Sequence, residues 1–389
     1  MKKTSFFILI IFILTMLTAC TQNKEPAKGP EKAALNKSNI EPNSLQIPTN
    51  AEIVFFNNQK LYYNTDKFDP KTPEQWYKTL NEYDFNSKAI KSFSTVTNIT
   101  TSPESFAVNN GDLYLSFSRN NVETILIKAN MGKGSNEIIK KWKTFPPFVS
   151  VYALDNNLII SGIKGIGETT ECYVNKINLG TNKEENIINK KMKDQKGELI
   201  GGIDVDDKYI YAFSIKVDKN SENYKISQYD SNGKLLKTYP FDLKFYLNSA
   251  TLKDTDDSIY KLYKEKDYFI IKTSVGRIFI FKLINNKLQP ITLPEKFYKE
   301  NPSSYEFIEY YDGNSDFAYF VNSFKENNIV TVFNYATGKF ASLEFPKNNG
   351  ICFYYRNASG DLIIKKPKGE SINEFEYFYY KSPYEKIIF

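Results

Sequence analysis

Short hairpin signals recur along this chain from near residue 51 to its C-terminus, and a recurrence of that kind admits few folds. The type example is Val108-Asn109-Asn110-Gly111-Asp112-Leu113-Tyr114-Leu115. Asn-Gly supplies the positive φ angles of a two-residue type I′ turn, and the flanks are the aliphatic and aromatic residues that suit a pleated surface. The first apolar residues after successive turns are Leu61, Leu113, Leu158, Tyr209, Ile259, Phe317 and Leu362, with gaps of 45 to 58 residues. The turns themselves are Asn57-Asn58, Asn110-Gly111, Asn156-Asn157, Asp206-Asp207, Asp256-Asp257, Asp312-Gly313 and Ser359-Gly360. A second hairpin follows each, with turns that include Asp230 to Lys234, Asn285-Asn286 and Ala336 to Lys339.

Two hairpins make a four-stranded unit, and a unit that returns about every fifty residues has the period of a propeller blade. The chain is therefore read as all-β, a β-propeller of seven four-stranded blades over residues 51–389; six or eight blades fit the same markers if one unit is divided differently. Apolar runs such as Ile278-Phe279-Ile280-Phe281 and Leu158-Ile159-Ile160 agree with this, because a blade is covered on both faces by its neighbours. In the fourth unit the strands are expected near 199–205, 209–215, 224–230 and 235–239. One helical turn is expected at Thr72-Pro73-Glu74-Gln75-Trp76-Tyr77, where Thr72 can cap and Pro73 takes the first helical position.

The N-terminus carries a different message. Lys2 and Lys3 precede a short apolar run, Phe6 to Leu14, of signal-peptide rather than membrane-span length, and Leu17-Thr18-Ala19-Cys20 follows. This resembles the lipobox of bacterial lipoproteins. The resemblance implies a signal peptide over 1–19, a diacylglycerol on Cys20, and a protein held on the cell membrane facing away from the cytoplasm. Residues 20–50 are polar and punctuated by Pro26, Pro30, Pro42 and Pro48, a composition that cannot bury enough apolar surface to order itself. They are read as the lipidated cysteine and a disordered linker, with Leu45-Gln46-Ile47 able to add an edge strand to the body.

Phe333-Asn334 followed by Ala336-Thr337-Gly338-Lys339-Phe340, echoed by Tyr229-Asp230 to Leu235, is similar to the repeat of quinoprotein-like propellers. Phe340 stands where that repeat carries Trp, and no vicinal cysteine pair is present, so the resemblance implies blade geometry and no quinone. No cofactor is expected.

Composition narrows the chemistry. The chain has no histidine, which excludes a Ser-His-Asp triad and a His-ligated zinc. The formal charge of +6 falls to about +4 once Lys2 and Lys3 leave, with both signs interspersed, and gives no nucleic-acid footprint. Asp204 to Asp207 and Asp254 to Asp257 offer oxygens to calcium, but both sit at turns and neither completes an EF-hand spacing. Gly162 to Gly167 fits an inter-strand loop better than a phosphate loop. Cys172 and Cys352 fall in the third and seventh units, too far apart to bridge, and are expected as free buried thiols. Glu168, Glu171, Asp194 and Glu198 are the carboxylates that a glycan-cleaving pair would draw on.

The reading that results is a membrane-anchored lipoprotein whose propeller is a non-catalytic binding or scaffolding module for a protein or glycan of the cell envelope. The alternative is an envelope glycan or peptide hydrolase or lyase. In a four-stranded meander the first and third turns share one end, and here these are tight. The opposite end carries the longer links, expected over 66–80, 94–103, 143–148, 162–170, 190–198, 240–251 and 294–304. Partner binding is therefore assigned to that end, through Trp76, Tyr77, Phe145, Lys164, Glu168, Lys191 and Tyr298; Trp142 is a further aromatic able to stack on a ligand.

Overall fold

The computed structural model describes residues 43–383 apart from 58, 69–75, 94–102, 104, 120–122, 144–148, 165–168, 195, 219–220, 242–258, 274–277, 295–304, 308–315, 323–328, 346–351, 358, 370–372 and 382. The described residues hold strands and turns and no α-helix. Among the described residues, five antiparallel sheets have four strands each and a sixth has eight, made of two consecutive meanders, which gives seven four-stranded blades.

Blade 1 comprises Glu52–Phe56, Lys60–Phe68, Trp76–Asp84 and Ile90–Ser92, and blade 2 comprises Ser105–Asn109, Asp112–Arg119, Glu123–Asn130 and Ser135–Trp142. Blade 3 is Val149–Leu154, Asn157–Lys164, Thr169–Asn178 and Glu184–Lys193; blade 4 is Lys196–Val205, Ile210–Asp218, Ser221–Tyr229 and Leu235–Phe241. Blade 5 is Ile259–Glu265, Tyr268–Thr273, Ile278–Ile284 and Lys287–Pro290, and blade 6 is Tyr305–Phe307, Phe317–Asn322, Ile329–Asn334 and Lys339–Glu344. Blade 7 takes Phe353–Arg356, Leu362–Pro367 and Phe375–Tyr380 from the C-terminus and Asn43–Ser44 from the N-terminus, the last pairing with Phe375–Tyr380.

Seven hydrophobic clusters lie between the seven blades and close a ring. Phe55 meets Leu115 between blades 1 and 2, Leu126 meets Ile160 between 2 and 3, and Ile159 meets Ala212 between 3 and 4. Phe213 meets Phe269, Ile270 meets Phe320, and Val332 meets Leu362 in the next three. Ile363 and Tyr377 of blade 7 then pack on Leu61 and Tyr63 of blade 1. Because side chains alternate along a strand, Leu61 and Tyr63 serve one interface and Tyr62 the other, just as Ile278 and Ile280 serve one and Phe279 and Phe281 the other. This two-sided burial accounts for the continuous apolar runs.

Several sequence expectations shift. Trp76 and Tyr77 are strand, not helix: they pair with Phe68 and Lys67 and continue an aromatic-rich hairpin, while Thr72 to Gln75 lie outside the described residues. The same pairing shortens the link expected over 66–80. Ile259 begins the first strand of blade 5 rather than the second, because the turn after this strand is Lys266-Asp267, with Lys266 at φ 49° and no Asn or Gly to announce it. The expected loop over 190–198 is a hairpin that joins blades 3 and 4, with Met192 opposite Gly197 and Lys193 opposite Lys196. The first strand falls at Asn43–Ser44, just ahead of Leu45-Gln46-Ile47.

Candidate functional site

The two ends of the ring are built differently. At the tight-turn end, the third strands of blades 1, 2, 3 and 6 finish on Asp or Asn and that of blade 4 is followed by Asp230, and the side-chain oxygen folds over the following turn. Asp84 Oδ1 accepts from the backbone N–H of Asn86 and Ser87, Asn178 Oδ1 from Gly180 and Thr181, Asp230 Oδ1 from Asn232 and Lys234, and Asn334 Oδ1 from Ala336 and Thr337. These contacts hold the Asp84 carboxyl below the usual carboxylate range, the bond from the Ser87 backbone leading. They explain the Tyr229-Asp230 and Phe333-Asn334 echo as a cap on a turn.

Near the axis at the same end, a charged cluster links blades 4 to 7. Asp204 Oδ2 accepts the backbone N–H of Lys264 at 2.5 Å and its Oδ1 that of Val205 at 2.9 Å. The first strands of blades 4 and 5 can approach this closely because residue 202 is glycine; a Cβ there would stand 2.9 Å from the Leu262 nitrogen. Part of the Asp204 residue remains accessible, but its carboxyl is enclosed. Burial, and then the charge of Glu265, push it up to about 8 against the backbone donors. The Lys264 ammonium lies 5.3 Å from the Phe269 ring centre and 5.6 Å from that of Tyr211, and burial pushes it below the ordinary lysine value. The Arg356 guanidinium, fully buried, donates through Nη1 to Phe317 O at 2.6 Å, lies 5.1 Å from the Tyr319 ring centre, and brings Nη2 to 4.0 Å from Glu265 Oε1. Both Asp204 oxygens are thus committed to backbone donors, and the cluster fastens inner strands together. Arg356 is one of three arginines in a lysine-rich chain and ends the run Phe353-Tyr354-Tyr355, a signal from which its burial was legible.

The Asp204 carboxyl is expected to make stability fall as pH rises. Its folded value lies above the ordinary one of about 3.9, so its stabilising contribution is full below that value and lost as pH rises through about 8. Urea melts between pH 5 and pH 9 should show this slope in the wild type and a flatter one in Asp204→Asn; identical slopes would rule out Asp204 as the source.

The carboxylates considered for catalysis have other partners. Glu198 binds Lys190 at 3.2 Å and Lys225 at 3.1 Å; burial pushes its carboxyl up, but these lysines outweigh that and hold it below the ordinary value. Glu171 accepts from Asn189 Nδ2, and Asp194 sits in the 193–196 turn at φ 49°. Glu184 takes Lys140 at 2.8 Å together with Asn175 and Trp142, whose Nε1 donates at 3.1 Å. Trp142 is therefore half-buried and occupied between blades 2 and 3. Glu82 takes Lys60 and the Tyr62 hydroxyl, and Lys78 takes Glu52 and Asp66. No group of three or more acidic or cysteine side chains is placed to hold a metal among the described residues; Asp254 to Asp257 lie outside them. Cys172 and Cys352 are free and buried.

At the long-loop end, Trp76 and Tyr77 open the third strand of blade 1. Lys164 ends the second strand of blade 3, and Lys191 is exposed on its outermost strand. Glu171 pairs with Lys164 on one side and Lys191 on the other, which brings those two together; Trp76 and Tyr77 are two blades away. Phe145, Glu168 and Tyr298 lie outside the described residues. Sequence reasoning missed that Lys191 belongs to a hairpin that also exposes Lys193, Asp194 and Lys196.

The fold defines a β-propeller. No protein-family model matches the sequence, and no curated protein matches it. Among solved structures it is similar to an oligogalacturonate lyase from Vibrio parahaemolyticus, at 8% identity over 87% of this chain and 91% of that one, with a TM-score of 0.50. It is similar to a prolyl endopeptidase at 12% identity over 83% of this chain and 46% of that one, TM-score 0.51, so it spans less than half of that protein. It is also similar to YCF48 bound to D1 peptide, at 11% identity over 91% of this chain and 98% of that one, TM-score 0.49. The likeness to the lyase and the endopeptidase, at these identities, shows the fold alone.

Proposed function

We propose that this protein is a membrane-anchored lipoprotein, held outside the cytoplasm through Cys20, whose propeller binds or scaffolds a protein or glycan of the cell envelope without catalysing a reaction. The observation that carries the binding role is the fate of the carboxylates: Glu82, Glu184, Glu198 and Asp204 are each committed to lysines, neutral donors or backbone N–H groups of the fold. The partner site belongs to the long-loop end, with Trp76, Tyr77, Phe145, Lys164, Glu168, Lys191 and Tyr298 as its candidate contacts. Links held on a rigid ring can diverge without disturbing the core, which is why recognition is assigned there.

Cys20→Ala is expected to release the protein from membranes or block its processing, read by fractionation and mass spectrometry of the N-terminus. Processing and membrane retention in the variant would overturn the anchor. Turnover of an envelope glycan or peptide by the purified protein would overturn the binding role in favour of a hydrolase or lyase.

A further inference from the structure

The 193–196 hairpin is the one place among the described residues where the last strand of a blade pairs with the first strand of the next. It is a built feature. Gly197 adopts φ +132°, and a Cβ there would stand 2.3 Å from the Lys191 carbonyl oxygen, so the strands close only around glycine.

Its charges run against its own stability. Lys193 and Lys196 stand directly opposite each other, an arrangement that repels across about 5 Å between Cβ atoms. Lys191 is two residues from Lys193 on the same strand, about 7 Å away. Lys191, Lys193 and Lys196 are exposed, as is Lys216 on the adjoining strand, and none makes an ion pair among the described residues, whereas Lys190 nearby is neutralised by Glu198. Two carboxylates stand near: Asp194 in the turn, and Glu171, which is opposite Lys191 in register and accepts from Asn189 Nδ2, so the unrelieved opposition is that of Lys193 and Lys196. A folded ribbon that keeps like charges opposed and unneutralised has left that neutralisation to something else.

The geometry points to a docking site for a phosphate-rich anionic polymer of the envelope, seated on Lys191, Lys193 and Lys196. Lysine ammoniums bind phosphate as point charges, so successive phosphates of a flexible polymer can each meet one of the three. The topology argues against the anchoring membrane as the partner. Asn43 pairs with Tyr379, beside the Leu362 and Tyr380 pair at the tight-turn end, so the segment from Cys20 reaches the ring at the end opposite the lysine tip. The siting of the polymer beyond the membrane rests on the lipoprotein reading; the phosphate binding does not.

The test titrates the full-length protein, in non-ionic detergent, with inorganic polyphosphate. Lys193→Glu converts the opposed pair into an ion pair, so it should leave the melting temperature unchanged or raised while weakening polyphosphate binding about tenfold. Lys339→Glu, an exposed lysine at the tight-turn end, makes the same charge change and should leave binding within about twofold. Equal losses in the two variants, or no binding by the wild type, would overturn the site. Tip-dependent binding to phosphatidylglycerol vesicles without binding to polyphosphate would also overturn it and make the membrane the partner. Cys20→Ala run in the same titration separates the two readings, since membrane retention bears on the anchor and polyphosphate binding on the tip.

Discussion

Deleting residues 43–50 is expected to lower the melting temperature by roughly 10–15 °C, because this segment closes the ring. Asn43 and Ser44 pair with Tyr379 and Phe378, Leu45 N–H donates to Tyr377 O at 2.9 Å, and Phe375 N–H donates to Thr49 O at 3.0 Å. Leu45, 8% exposed, and Ile47 pack into the cluster of Phe56, Leu61, Tyr63, Ile363 and Tyr377 that joins blades 7 and 1. Losing this apolar burial and these hydrogen bonds costs roughly 5–7 kcal/mol before any further opening. The backbone just after Thr49 is held as well: Ala51 O accepts the Tyr377 hydroxyl and, at 3.4 Å, the Lys365 ammonium, which lies 4.2 Å from the Phe375 ring centre. Calorimetry of the deleted and intact chains decides the matter. A difference under about 3 °C would mean that blade 7 is complete without its N-terminal strand.

That strand also shows where sequence reading stops. The repeat, the four-stranded unit and the fate of the apolar runs were legible because turn chemistry and two-sided burial leave local marks: Asn110-Gly111 is read from two residues, Ile278 to Phe281 from four. Fourth-unit strands expected at 199–205 and 224–230 lie within the observed Lys196–Val205 and largely within Ser221–Tyr229. Asn43-Ser44 carries no such mark, since its partner is Tyr379, more than three hundred residues on, and an exposed two-residue edge needs no pattern. Lys266-Asp267 was missed for the converse reason: tertiary packing imposes a positive φ on a residue that does not advertise it. The Lys191 to Lys196 tip reads in the sequence as part of a link over 190–198 and not as a ribbon, because the pairing depends on one glycine, Gly197, in a region whose composition reads as loop. Asp204 was noticed as acidic and turn-adjacent, but its bond to Lys264 joins two blades and has no local signature.

Arg356→Met is expected to cost about 3–5 kcal/mol, the range for removing one member of a buried charge pair, while Arg356→Lys should recover part of that loss. The guanidinium is the cation that ties blade 7 to blades 5 and 6: it bonds Phe317 O, lies over Tyr319 and faces Glu265, itself 8% exposed. Methionine fills much of the volume but leaves Glu265 without that counter-charge in a poorly solvated place. Lysine restores a charge but has no plane to lay against Tyr319 and no second nitrogen to span from Phe317 to Glu265. The double variant Arg356→Met with Glu265→Gln removes both charges and should be more stable than Arg356→Met alone by about 1 kcal/mol or more, since the stranded carboxylate is the larger part of the loss. Urea melts of the two singles and the double give the coupling directly. If the losses simply add, the 4.0 Å approach between Arg356 and Glu265 contributes nothing, and the arginine is held by its other contacts, Phe317 and Tyr319 among them.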